Sequence, residues 1–225
     1  MIVGGCAVAS IIVILNTIGT WLPSPISRRS MEKARCSSAI ENGRVLAWAL
    51  DEFHQEYGRY PDNESAALIS KQSNYGMVEL FGKYSNDYFR QLIVAGLIDN
   101  ERWFFVETSY TRHPDRVMDG TRALSDGEVG FGYILDDTKS ISTDNAKRII
   151  AVSPLLNALP TGEFDFSVFG GKALVVHVDG GVEMLDLQKN NKLKLNDGHD
   201  LLEVGAETVW GVDMHPVIKP PKPRK

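Results

Sequence analysis

The side chains in this sequence that could do chemistry are few and scattered. The five histidines are His54, His113, His177, His199 and His215, and none falls into a metal-binding or nucleophile-activating spacing. His177 and Asp179 are two apart in a strand-like run, so the period of two places them on one face. They could form a general-base dyad, although a histidine beside a hairpin turn more often plays a structural part or is simply solvated. Ser153 and Ser167 have no base near them in sequence. Asp115, Asp119, Asp126 and Glu128 are carboxylates within one polar segment and resemble oxygen ligands for calcium. Their spacing departs from that of an EF-hand, and a solvated loop is the default reading of 115–128. Cys6 and Cys36 are too far apart along a helix to pair without a bend, so no disulfide framework is expected. Val3-Gly4-Gly5-Cys6 has the small residues of a lipoprotein cleavage site, but no apolar region precedes it. No catalytic, cofactor or metal site is assigned, and the chain is not expected to be an enzyme.

The elements that would position these residues are clearer. The 225 residues carry a net charge of −5 and a pI near 5.6, which argues against nucleic acid as a partner. Ile2 to Leu22 contains no charged residue or histidine. As a helix it would span roughly 31 Å, the thickness of a bilayer's hydrocarbon core. A membrane anchor is the reading adopted for residues 1–26, with Pro23 and Pro25 as its hinge. A cleaved signal peptide is the rival, and it fits poorly because no basic segment precedes the run. The anchor face Val8, Ile11, Ile12 and Leu15 is expected to pack against neighbouring helices. Arg28, Arg29, Lys33 and Arg35 follow, and by the positive-inside rule they would place the C-terminal side in the cytoplasm.

A stalk helix is expected over 27–61. Ala39, Gly43, Leu46, Leu50, Phe53 and Tyr57 recur at alternating steps of four and three, forming one apolar stripe. Trp48 points away from the stripe, either over a loop or toward a neighbouring subunit. Gly58 and Pro61 end the helix. A head over 62–215 should hold short helices at 66–70, 87–95 (capped by Asn86) and 199–204. Its candidate strands are 103–107, 129–135, 148–153, 173–178, 182–187 and 208–212. Asp179-Gly180-Gly181 signals a tight hairpin, and Gly170-Gly171 reads as a turn rather than a phosphate loop. The Pro/Lys-rich segment 216–225 reads as a frayed tail, or more sharply as a contact for anionic lipid or a partner.

Two segments carry a family resemblance. The anchor, the stalk and the phrase Ala49-Leu50 through Tyr57-Gly58-Arg59-Tyr60-Pro61 resemble type IV pilins and the pseudopilins of type II secretion. Gly170-Gly171, an apolar strand and Asp179-Gly180-Gly181-Val182 resemble the C-terminal hairpin of prepilin-like proteins from planctomycetes and verrucomicrobia. Met1 to Cys6 does not carry that family's basic leader or its early glutamate. The resemblance implies an α+β fold, with a long transmembrane-plus-stalk helix packed on an antiparallel β-sheet head. It implies a structural, protein-transport role in a secretion or pilus-type assembly, with self-association or related subunits as partners. It also implies a single-pass protein of a bacterial inner membrane, anchored through residues 2–22, with a periplasmic head. The basic cluster at 28–35 disagrees with that orientation. Leu46, Leu50, Phe53, Tyr57 and the anchor face would then serve packing and assembly, and Trp48 partner contact. Two other readings stay open: a non-assembling single-pass protein whose head binds a ligand or protein, and a membrane-tethered hydrolase.

Overall fold

The computed structural model describes residues 25–72, 79–119, 122–141 and 143–225. The anchor, with Val8, Ile11, Ile12 and Leu15, lies outside them. No helix among the described residues is long and apolar enough to cross a membrane. The chain divides into two compact units, 1–34 and 35–225. In the first, the described residues 25–34 are helical.

Helix α1 spans Pro25–Tyr57. It opens on a proline, whose missing N–H costs nothing in a first turn. It ends where Gly58 takes φ +71°, its N–H donating to the His54 carbonyl at 2.8 Å. Helix α2 (Asn63–Gln72) is capped by Asp62, whose Oδ1 accepts from the Glu64 and Ser65 N–H groups. Helix α3 (Ser85–Val94) starts two residues earlier than expected. Asn86 does not cap it. It is buried, and its side chain donates to the Leu124 carbonyl and accepts from the Lys222 N–H. The Asp87 carboxylate instead accepts from the Tyr84 N–H at 3.1 Å.

The sheet is antiparallel and five-stranded: β1 Gly132–Asp136, β2 Ile149–Ser153, β3 Lys172–His177, β4 Val182–Asp186 and β5 Pro216–Lys219, in the order β4-β3-β2-β1-β5. The α+β expectation therefore holds for the head. The β3–β4 hairpin turns at Gly180 (φ +84°), as its sequence implied.

Three strand and helix expectations fail. Residues 103–107 form a short 3-10 turn, Glu101–Phe104, followed by extended chain. Residues 208–212 make only a single-residue bridge, Gly205 to Gly211, because Trp210 is turned inward and donates to the Leu201 carbonyl. Residues 199–204 hold a single-residue bridge at Asp200 and a turn at 201–202. The fifth strand comes instead from the segment expected to fray. Pro216–Lys219 can close the sheet because it pairs on one side only, so a proline that cannot donate is tolerated there.

The stalk stripe packs as its period requires. An added Cβ at Gly43 would lie 3.2 Å from Val182 and 3.3 Å from Leu174, which places α1 on the β3–β4 half of the sheet. Leu46, Leu50 and Phe53 are at most 1% exposed and join the same core. Each contributes roughly 1.5–3 kcal/mol by burial. Tyr57 is half-buried, its ring 4.6 Å from Phe53. The same face of the sheet carries Tyr133, which donates to the Pro61 carbonyl and packs against Tyr88 and Phe89. Gly132, Ile134, His177 and Glu183 face the other way, toward the irregular chain of 154–215.

Candidate functional site

The surface of α1 comes first, because the stalk was expected to serve assembly. Leu46, Leu50 and Phe53 are wholly buried within the head, so their packing is intramolecular. Asn42 is buried on the helix's flank and donates to the Phe105 carbonyl at 2.7 Å. Trp48 differs: it is 52% exposed. It lines a groove of about 330 Å³ with Val45, Gly96, Leu97, Ile98 and Trp103. It lies beside the loop after α3, and much of its indole still faces outward. A large, rigid aromatic left half-exposed at a groove is a characteristic anchor for a partner.

The second location is the β3–β4 hairpin. His177 does not pair with Asp179. The Asp179 carboxylate accepts from the Gly181 N–H and shapes the turn. His177 Nε2 lies 2.9 Å from Glu183 Oε1 across the hairpin, and Nδ1 lies 3.0 Å from the Lys147 carbonyl oxygen. Both ring nitrogens therefore have a polar neighbour, and the ring ties the hairpin to β2's entry. A cleft of about 280 Å³ opens there, lined by Lys147, Glu183, Leu185, Leu195, Asp197 and Val209 among others. None of its lining residues is a serine, threonine or cysteine.

The third location is the acidic loop, where the structure separates Asp119 and Asp126 from Asp115 and Glu128. Asp119 pairs with Arg122 at the surface. Asp126 pairs with Lys222 at 2.8 Å and Lys225 at 3.5 Å. Burial raises the Asp126 carboxyl, but the Lys222 and Lys225 ammonium groups outweigh it and hold the group below the usual carboxylate range.

Asp115 and Glu128 converge, and they are joined by Glu101 from the 3-10 turn. Ligand atoms of the three lie within 4.8 Å of one another. Glu101 and Glu128 are fully buried, while Asp115 is exposed. Glu128 accepts from the Asp115 and Ser125 N–H groups and pairs with Arg112 at 3.2 Å. Glu101 Oε1 accepts from the Leu124 N–H at 2.7 Å. Glu101 Oε2 is buried with no hydrogen-bond partner among the described residues. Burial raises the carboxyl of Glu101 above its ordinary range, the neighbouring carboxylates add to this, and backbone N–H groups only partly offset it. Burial is also the main cause of the rise at Glu128.

Sequence reasoning found Asp115 and Glu128 but not Glu101. Its burial depends on a loop folding back over it, and nothing in Asn100-Glu101-Arg102 marks that.

No family model, no curated protein and no solved structure matches the chain.

Proposed function

We propose that the chain is a membrane-anchored, pilin-like subunit of a secretion or pilus-type assembly, working through subunit packing rather than catalysis. The carrying observation is Trp48. It stands half-exposed on a helix whose opposite side is fully committed to the head. The order of the parts also supports the reading: an apolar N-terminal run, a stalk, the Gly58–Pro61 stop, then an antiparallel sheet under the helix. The occupant of the Trp48 groove is a second copy of this chain.

The test is Trp48→Cys in the full-length protein in membranes, with Cys6 and Cys36 replaced by serine. Crosslinked dimer should rise with protein concentration. Monomer at every concentration would overturn the proposal. A second reading, a single-pass protein whose head binds a small ligand, has the cleft beside His177 in its favour.

A further inference from the structure

The carboxylates of Glu101, Asp115 and Glu128 pose an electrostatic problem that the chain alone does not solve. Two of them are wholly buried, and buried charge is costly unless it is paired. Arg112 supplies one positive charge, through Glu128. Three carboxylates against one guanidinium leave a charge of −2. Backbone N–H groups satisfy Glu128 twice and Glu101 once. The remaining oxygen of Glu101 is sealed from solvent and makes no hydrogen bond among the described residues, although the Arg116 N–H is near enough to lower the carboxyl's pKa. A buried, orphaned carboxylate oxygen among converging carboxylates points to a cation.

We propose that Glu101, Asp115 and Glu128 bind one divalent cation of calcium's size. The donors are all hard oxygens, which suit calcium or magnesium rather than a thiolate- or imidazole-preferring metal. The ligand atoms all lie within 4.8 Å of one another, close enough to share one coordination sphere. Calcium takes several protein carboxylates at one site, whereas magnesium usually keeps most of its waters and binds through one or two, so three carboxylates favour the larger ion. A single divalent ion also cancels the −2. Asp115, exposed at the mouth, gives the ion its route in and leaves its remaining ligands to water.

The ion would tie three separate pieces of chain together: the turn at Glu101, the loop at Asp115 and the approach to β1 at Glu128. The site shares no residue with the Trp48 groove, although Glu101 lies between Asp99 and Trp103, which line it, and the proposal does not rest on the assembly reading.

The experiment is calorimetric titration of the chelator-treated, full-length protein in detergent with CaCl2 and, separately, MgCl2, paired with thermal unfolding. Calcium should bind with one-site stoichiometry and raise the unfolding temperature. Asp115→Asn, at an exposed position that does not threaten folding, should weaken binding roughly tenfold or more. Glu101→Gln should do the same, and Asp126→Asn should leave binding unchanged. No heat and no thermal shift at up to about 1 mM calcium would overturn the proposal and leave a shared proton to relieve the carboxylates. Binding undiminished in Asp115→Asn and Glu101→Gln would overturn it too, as adventitious binding to surface acids. Tighter binding of magnesium would overturn the assignment to an ion of calcium's size.

Discussion

Asp136, at the end of β1, shows how much one side chain can organise. Its Oδ1 accepts from the Thr138 N–H, the Thr138 hydroxyl and the Lys139 N–H, and its Oδ2 accepts from the His215 N–H at 2.6 Å. Burial pushes this carboxyl up, but the four donors together outweigh burial and hold it below the ordinary carboxylate value. A depressed folded-state value adds stability that is present above the unfolded pKa of about 3.9 and is lost as pH falls through the folded value. Asp136→Asn keeps one acceptor oxygen but turns an amide NH2 toward the donors of the other, and should cost about 2–3 kcal/mol in denaturant unfolding at pH 7. The variant should also lose less stability than the parent between pH 5 and pH 3. Equal acid sensitivity in the two proteins would contradict this account. The same scale explains why the site at Glu101 was hidden. Asp115 and Glu128 advertise themselves in a polar loop, whereas Glu101 matters because of what the fold leaves its Oε2 without.

At the scale of elements, glycines mark where chains approach most closely. Gly130 has its N–H on the Phe104 carbonyl, and an added Cβ would lie 2.5 Å from Val106 Cβ and 2.6 Å from its backbone nitrogen. Backbone cannot step aside, so Gly130→Ala should cost roughly 3 kcal/mol. Gly43 provides the contrast. Its would-be Cβ meets only side-chain methyls, at 3.2 Å or more. Gly43→Ala also gains about 1 kcal/mol of helix propensity and should be close to neutral. Thermal unfolding of the two variants checks the pair, and similar losses would refute the distinction.

The elements also show what was legible beforehand. The stripe from Ala39 to Tyr57 and the strands β1 to β4 were readable because each segment repeats its own period. The hairpin was readable because Asp179-Gly180-Gly181 demands positive φ. Thr208–Val212 carried a strand-like pattern, yet the inward Trp210 and its bond to Leu201 bend the chain into a turn. Pro216–Lys219 looked unfit for a strand because its prolines and lysines are read without knowing that it pairs on one side alone.

In the whole head, the last ten residues act as a strap. After β5, the Pro220 carbonyl accepts from the Ser85 N–H, the Lys222 carbonyl from the Gly127 N–H, and the Arg224 N–H donates to the Tyr110 carbonyl. Pro220 and Pro221 are buried. The strap thereby joins α3 to the loop that carries the acidic cluster. Deleting residues 220–225 should destabilise the head by several kcal/mol, since each lost hydrogen bond is worth about 1 kcal/mol and buried apolar surface is exposed as well. It should also make 108–128 the first site of limited proteolysis. An unchanged cleavage pattern would show that the strap does not hold the loop.

The position of β5 also sets the timing of biosynthesis. A ribosome delivers β1 long before Pro216–Lys219, so the nascent head carries an unpaired β-edge until that segment emerges. Such an edge can template pairing with another chain. A chain cut before Pro216 would carry that edge permanently open.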